Sequence, residues 1–231
     1  MMQSIHAFSE KVAIVVGGNS PIGRASALQL AMLGAFVVVV DDSASDDFAS
    51  RELESLGTVA ASITVNLHSA PAVCEAIAKI DSMFGRIDLI VICLKPIAES
   101  SFTDFDEPTL DGIAGGGLKV PYVFVSQALA LMKERPKARI VCVVPPRDDA
   151  ADQVIAETIR GGVEGMTRAM ANVLPRSFRV NAVVCEGVAT AVSDGLTISR
   201  TGIAPDDVAR AVLFLLSSEA TAINGQTIVV K

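Results

Sequence analysis

Aromatic residues are scarce in this sequence of 231 residues. Tryptophan is absent and tyrosine occurs once, so aromatic residues make up 4% of the chain while hydrophobic residues make up 51%. Ala, Val, Leu and Ile must therefore fill the core, a mixture that suits strands buried on both faces of a parallel sheet. The length is sufficient for a full core, and no linker or internal repeat interrupts it. We expect one domain spanning residues 1–231.

Basic tracts, leader-like segments and paired cysteines are also missing. Nineteen Lys and Arg residues stand against 26 Asp and Glu residues, a net charge of −7, which argues against nucleic acid or an anionic membrane as a partner. The N-terminal MMQSIHAFSEK has no apolar signal region, and the run AFVVVV is too short to span a bilayer. Four scattered cysteines without a CxxC pair indicate free thiols. We expect a soluble cytoplasmic protein.

Apolar bursts alternate with helical patterns along the chain. The bursts predict seven strands, at Lys11–Val16, Ala35–Asp41, Thr58–Val65, Ile87–Cys93, Ala138–Val144, Phe178–Val184 and Gln226–Lys231. The helical patterns lie near Ser20–Leu33, Asp46–Leu56, Ala70–Phe84, Thr109–Glu134, Asp149–Leu174 and Pro205–Leu216. This alternation predicts an α/β fold, a Rossmann-type doubly wound parallel sheet with helices on both faces.

The segment GGNSPIG follows the first strand and opens the first helix. Glycines in this context are typical of a loop that binds a pyrophosphate, and Gly17, Asn19, Ser20, Ile22 and Gly23 are its candidate cofactor-binding residues.

Strand two ends in Asp41 and Asp42, where a carboxylate can bind the ribose hydroxyls of NAD and repel the 2′-phosphate of NADP. Asp41 is the candidate cofactor-binding residue of the two.

The same loop has a second interpretation that needs no ligand. Ser20 is a suitable N-cap, and Pro21 is a suitable first helical residue because an N–H is not needed there. Proline also removes one amide donor and places ring carbons toward the space of a pyrophosphate. We therefore expect dinucleotide binding to be weak or absent, with NAD as the cofactor if one binds.

Several longer motifs extend over essentially the whole chain: FGRIDLIV, GLKVPYVFVSQALALM, GGVEGMTRAMA, RVNAVV and the ending DVARAVLFLLSSEATAINGQTIVV. In order and spacing they resemble the short-chain dehydrogenase/reductase family. The resemblance implies a seven-stranded Rossmann sheet, hydride transfer with a nicotinamide cofactor, and assembly into dimers or tetramers. It also implies that Thr190, in GVAT, stands where the family anchors the nicotinamide carboxamide.

The catalytic positions of that family are all substituted here. The resemblance places Gly117 at the family's asparagine, Pro145 at its serine, and Ala156 and Arg160 at the tyrosine and lysine of YxxxK. The family's NNAG segment is represented by Ile92-Cys93-Leu94-Lys95. The single tyrosine, Tyr122, lies in the preceding helix. We therefore expect no catalytic residue at these positions.

A few other residues are candidates for chemistry. Lys95 would be a relocated base if it were buried, whereas Glu157 and Arg160 are spaced to form an ion pair on a helix surface. The remaining candidates are three cysteines at strands four to six, which could line one rim of the sheet: Cys93, Cys142 and Cys185. Because free cysteine behaves as a small hydrophobe, we expect packing and no metal site.

Three functions remain open. The first is a catalytically silent structural or regulatory subunit of a homo- or hetero-oligomer, with an active family member as its partner. The two-subunit dehydrogenase that acts on an aromatic succinyl-CoA ester in anaerobic toluene breakdown is one such arrangement in the family. The second is an active NAD-dependent oxidoreductase that uses Lys95. The third is a dinucleotide-binding sensor.

Overall fold

Seven parallel strands form one sheet in the computed structural model, which describes residues 7–42, 48–95, 103, 107–133, 137–145, 153–186 and 204–231. The strands are β1 (Val12–Val16), β2 (Phe36–Asp41), β3 (Ala60–Thr64), β4 (Leu89–Cys93), β5 (Arg139–Val144), β6 (Arg179–Cys185) and β7 (Thr227–Val230). Their order in the sheet is β3-β2-β1-β4-β5-β6-β7. The chain thus winds outward from β1 in one direction and from β4 in the other.

Helices cover both faces of this sheet, as the sequence predicts. They are α1 (Pro21–Met32), α2 (Phe48–Ser55), α3 (Ala70–Phe84), α4 (Glu107–Ala114), α5 (Val120–Met132), α6 (Gln153–Val173) and α7 (Pro205–Leu216). A 3₁₀ turn follows at Ser218–Ala220. Within the described ranges, none of the helices combines the length and the apolar character needed to cross a membrane. The doubly wound Rossmann-type fold is confirmed.

Two hydrophobic cores lie on opposite faces of the sheet. Successive residues of a strand point to opposite sides, so Ile14 of β1 packs in the core under α3, α5 and α6, whereas Val15 packs in the core under α1, α2 and α7. Both side chains are fully buried. The runs of Val and Ile in β1, β2 and β4 are therefore required by burial on both faces rather than on one.

The fourth predicted helix is interrupted in the structure. The pattern predicts one helix over Thr109–Glu134, but α4 starts at Glu107 and is separated from α5 by a π-helical segment, Gly115–Lys119. Three consecutive glycines open this segment, and glycine has the greatest backbone freedom in a helix. A wider turn can therefore form here, as π-bulges do inside α-helices.

A buried carboxylate joins the amino ends of β1 and β4. Asp88, which is 1% exposed, accepts a hydrogen bond from the backbone N–H of Val12 at 3.0 Å and two from Arg86 at 2.8 Å. Lys11 lies 3.6 Å from the same carboxylate. Burial acts to raise the pKa of Asp88, but these donors outweigh it and hold the pKa below its ordinary value. Asp88 thus remains ionised and fixes the central strands to each other.

Substitution of Asp88 tests whether its buried carboxylate stabilises the contact between β1 and β4. We expect Asp88→Ala to lower the free energy of unfolding by about 2–3 kcal/mol at pH 7, because the Val12 N–H and Arg86 lose their acceptor. A depressed pKa contributes stability above the unfolded value, which is lost as the pH falls through the folded value. The difference between wild type and variant in urea unfolding should therefore shrink below about pH 4. A difference independent of pH would contradict the ionic interpretation.

Candidate functional site

The glycine-rich turn after β1 packs so closely that its glycines are needed with or without a ligand. Gly17 has a φ of +72°, and a Cβ there would lie 2.2 Å from the carbonyl oxygen of Cys93 at the end of β4. A Cβ on Gly23 would lie 2.2 Å from the carbonyl oxygen of Gly17, and one on Gly18 would lie 2.5 Å from a methyl group of Val39. The predicted turn is present, and its glycines are explained by contacts within the chain.

Ser20 closes this turn, as the capping interpretation predicts. Its hydroxyl donates to the carbonyl oxygen of Gly17 at 2.7 Å and accepts the N–H of Gly23 at 3.1 Å. Pro21 is the first residue of α1. Ile22, a candidate for cofactor contact, is 6% exposed and packs in the core under α1. The helix start is thus satisfied by the chain itself.

Asp41 holds the turn from the neighbouring strand. Its side chain is 5% exposed, and one carboxylate oxygen accepts the N–H of Asn19 at 3.0 Å. The other oxygen accepts the N–H of Asp42 at 2.8 Å. The last of the predicted cofactor residues, Thr190, lies outside the described residues. The N–H groups of Asn19 and Gly23 are thus bonded within the chain, so a dinucleotide at this turn would have to share or displace these hydrogen bonds.

At the four positions that the sequence aligns with a reaction centre, no acidic and basic side chains converge on one point. Gly117 lies in the π-helical segment, and a Cβ there would come within 2.6 Å of the side chain of Ile159 on α6. Ile159 is 5% exposed. Pro145 and Ala156 are half-buried. An apolar side chain therefore fills the space beside Gly117.

Arg160 is surrounded by carboxylates. Its guanidinium nitrogens lie 3.1 Å from Glu164, 3.8 Å from Glu157 and 3.8 Å from Glu186, which follows β6. The predicted Glu157–Arg160 pair is confirmed, and Glu164 and Glu186 are additional partners that the sequence pattern did not indicate. Arg160 cannot release its proton near neutral pH. Its charge is bound to acidic neighbours rather than presented to a cleft.

Lys95 is also paired. Its side chain is 57% exposed, and its Nζ lies 2.5 Å from Oδ1 of Asp42, just beyond the end of β2. Partial burial acts to raise the pKa of Asp42, but the hydrogen bond and charge of Lys95 outweigh it and keep that pKa below its ordinary value. Sequence reasoning missed this contact because Lys95 and Asp42 are 53 residues apart.

The three strand cysteines are buried in the hydrophobic cores, so the predicted packing is confirmed, and they do not all line one rim. Cys93 and Cys185 pack in the core under α1 and α7, whereas Cys142 points to the opposite face, into the core under α5 and α6. Side-chain alternation along β5 was the signal that could have shown this. Burial raises the pKa of Cys142 and of Cys185 to about 12, so the thiols remain protonated. Among the described residues, no three His, Cys, Asp or Glu side chains are grouped to hold a metal ion.

A groove of about 870 Å³ lies on the outer side of the helices after β4 and β5. The sequence did not indicate it. Its polar lining includes His68, Asp111, Lys119 and Tyr122, and its base is formed by small residues of α4, the π-helical segment and α6. Tyr122 is 66% exposed. Small residues at a helix surface allow another helix to approach closely.

Comparisons with known proteins agree with this fold. Residues 16–231 match the family model described as enoyl-(acyl carrier protein) reductase. The chain is similar to two subunits of the (2S)-[(R)-hydroxy(phenyl)methyl]succinyl-CoA dehydrogenase of Thauera aromatica. BbsC is 26% identical, over 95% of this chain and 92% of that protein. BbsD is 29% identical, over 95% of this chain and 94% of that protein.

The solved structures include a similar whole chain. The citronellol catabolism dehydrogenase AtuB of Pseudomonas aeruginosa PAO1 superimposes with a TM-score of 0.86 at 25% identity, over 99% of this chain and 96% of that chain. Likeness of this extent confirms the fold.

The close approach of Gly17 to Cys93 is testable by comparison with Gly57, whose φ is +70° but whose Cβ would meet nothing within 4 Å. Alanine at either φ costs about 1 kcal/mol. Gly17→Ala should cost about 1–3 kcal/mol more than Gly57→Ala, because of the clash with the Cys93 carbonyl. Urea unfolding of both variants measures the difference, and equal losses would contradict the packing role of Gly17.

Proposed function

This chain belongs to the short-chain dehydrogenase/reductase family of oxidoreductases, and on that premise we propose that it is a catalytically silent subunit of a hetero-oligomeric NAD-dependent dehydrogenase. It contributes structure or regulation, and an active member of the family supplies the chemistry. The family binds NAD or NADP, and in the proposed assembly the dinucleotide occupies the partner's site.

The environment of Arg160 carries this proposal. Hydride transfer in the family depends on a tyrosine whose pKa is lowered by a lysine four residues later, and Ala156 and Arg160 stand at those positions. Arg160 is engaged by Glu164 at 3.1 Å and lies near Glu157 and Glu186. A guanidinium held by three carboxylates has no proton to give and no tyrosine to act on.

Packing around Gly117 supports the same conclusion. Ile159 occupies the space where a side chain at position 117 would extend. A proton relay through this position would need both a polar side chain at 117 and a smaller residue at 159. The packing of Ile159 beside Gly117 therefore leaves no place for a relay side chain, which supports a silent reaction centre.

The two dehydrogenase subunits of Thauera aromatica support a mixed assembly. Both are named as subunits of one (2S)-[(R)-hydroxy(phenyl)methyl]succinyl-CoA dehydrogenase, and both resemble this chain over nearly its full length. A pair of related chains in one enzyme is the arrangement that lets one chain lose its chemistry. We therefore propose an aromatic succinyl-CoA ester, as in the benzylsuccinate pathway of anaerobic toluene breakdown, as the substrate class of the assembled enzyme.

The groove beside Tyr122 supports an assembly surface. Four large apolar or aromatic side chains on α4, α5 and α6 are at least 45% exposed: Leu110, Tyr122, Val154 and Val173. Tyr122 lines the groove, and exposed apolar groups on the same three helices favour contact with another subunit.

We expect the isolated chain to show no NAD(P)H-dependent turnover with alcohols, ketones or acyl-CoA substrates. A positioned acid or base contributes about 10²–10⁴-fold to such reactions, and Gly117, Pro145, Ala156 and Arg160 supply none. Absorbance of the reduced nicotinamide measures the rate. Turnover above background that disappears in Lys95→Ala would contradict a silent subunit and would support relocated chemistry.

We expect light scattering at micromolar concentration to report a dimer or larger species of this 24.1 kDa chain. Tyr122→Glu should weaken the assembly, because it places a charge beside the groove. Met32→Glu is the matched control, since Met32 is 63% exposed but lies on α1, on the other face of the sheet. A chain that remains monomeric when mixed with candidate active family members would contradict the subunit role.

A further inference from the structure

We propose that Lys95 closes the dinucleotide crevice of this chain from within. Its ammonium group is held by Asp42, which follows β2, on the other side of β1 from β4. Lys95 keeps the crevice free of dinucleotide, an interpretation that rests on the proposed function of the chain as a subunit without turnover. The ion pair thus acts as an internal competitor for the cofactor.

The order of the strands places this ion pair over the crevice. Strand β1 lies between β2 and β4 in the sheet. Adjacent strands are about 4.8 Å apart, so the ends of β2 and β4 are separated by roughly 10 Å. Asp42 comes one residue after β2, and Lys95 comes two residues after β4. Because their charged groups are 2.5 Å apart, the bridge between them must extend over the end of β1.

That position is where a sheet of this kind receives its ligand. The chain leaves β1 toward β2 on one side, and β4 lies on the other, so the end of β1 is the switch point of the sheet. The Gly17 turn lies directly beneath, in contact with Cys93 at the end of β4. A ligand that follows this turn from the ribose to the pyrophosphate would meet the hydrocarbon chain of Lys95.

The proposed closure of the crevice depends on the presence of a lysine at position 95. In the segment that resembles NNAG of the family, Lys95 stands at the glycine, which has no side chain to enter the crevice. Asp42 is well placed to hold the lysine there, since its side chain is 20% exposed and its ionised form is favoured by Lys95 itself. Asp42 is thereby bonded to a cation of the same chain, directly beside Asp41, the candidate for binding the ribose hydroxyls.

The ion pair can be removed without unfolding the protein. The Lys95 side chain is 57% exposed and that of Asp42 is 20% exposed, and an ion pair that reaches solvent at its lysine contributes little to folding stability. Variants at either residue should therefore keep the melting temperature and the far-ultraviolet circular dichroism of the wild type. If both measurements are unchanged, any change in NADH affinity arises at the substituted residue and not from a change in the fold.

Calorimetric titration of the full chain with NADH tests the proposal. Lys95→Gly removes both the hydrocarbon chain and the charge, and should bind NADH at least tenfold more tightly than wild type. Asp42→Ala removes the acceptor and releases the lysine, and should bind NADH severalfold more tightly than wild type. Lys79→Ala is the matched control, because Lys79 is exposed on α3 and its loss changes the net charge equally. It should leave the affinity unchanged.

The outcomes separate this proposal from the proposed function. Low-micromolar binding of NADH by wild type, or no gain in Lys95→Gly, would overturn the closure by Lys95. A gain of equal size in Lys79→Ala would also overturn it, because the effect would then not depend on the position of the lysine. If Lys95→Gly binds NADH and remains inactive, both proposals stand. Turnover by that variant would leave the closure intact and contradict the silent reaction centre.

Discussion

The approach of Gly17 to the carbonyl oxygen of Cys93 is the constraint on which the rest of this edge of the sheet depends. It sets the spacing between the ends of β1 and β4 and leaves no room for a Cβ at position 17. Gly23 then packs on Gly17, and Ser20 joins the two through its hydroxyl. The start of α1 and the position of the Lys95 segment both follow from this contact.

Local patterns predicted the fold and the start of α1 from the sequence. Uninterrupted apolar strands require burial on both faces, and the Ser20-Pro21 pair satisfies a helix start with its own atoms. Each of these signals is contained in a few consecutive residues, so it can be identified from the sequence without knowledge of tertiary contacts. The glycines of the turn were also apparent, although the sequence did not distinguish a ligand from close packing as their cause.

Contacts between distant residues were not predictable in the same way. The pairing of Lys95 with Asp42, the packing of Ile159 on Gly117 and the carboxylate of Glu186 beside Arg160 all depend on which strand ends and helices are neighbours. The π-helical segment was not predicted from the sequence, because its three glycines have no side chains whose spacing could indicate a change from the 3.6-residue period. The face of the sheet to which Cys142 points was not predicted, because only its position near the end of β5 was considered.

The Ser20 cap bears on how the stability of the protein depends on a bound cofactor. A protein whose loop is completed by its cofactor gains stability as the free cofactor concentration rises above the dissociation constant. In this chain the Gly23 N–H and the Gly17 carbonyl are already bonded to the Ser20 hydroxyl, and the Asn19 N–H is bonded to Asp41. We therefore expect the stability of this turn to depend little on the free concentration of a cofactor.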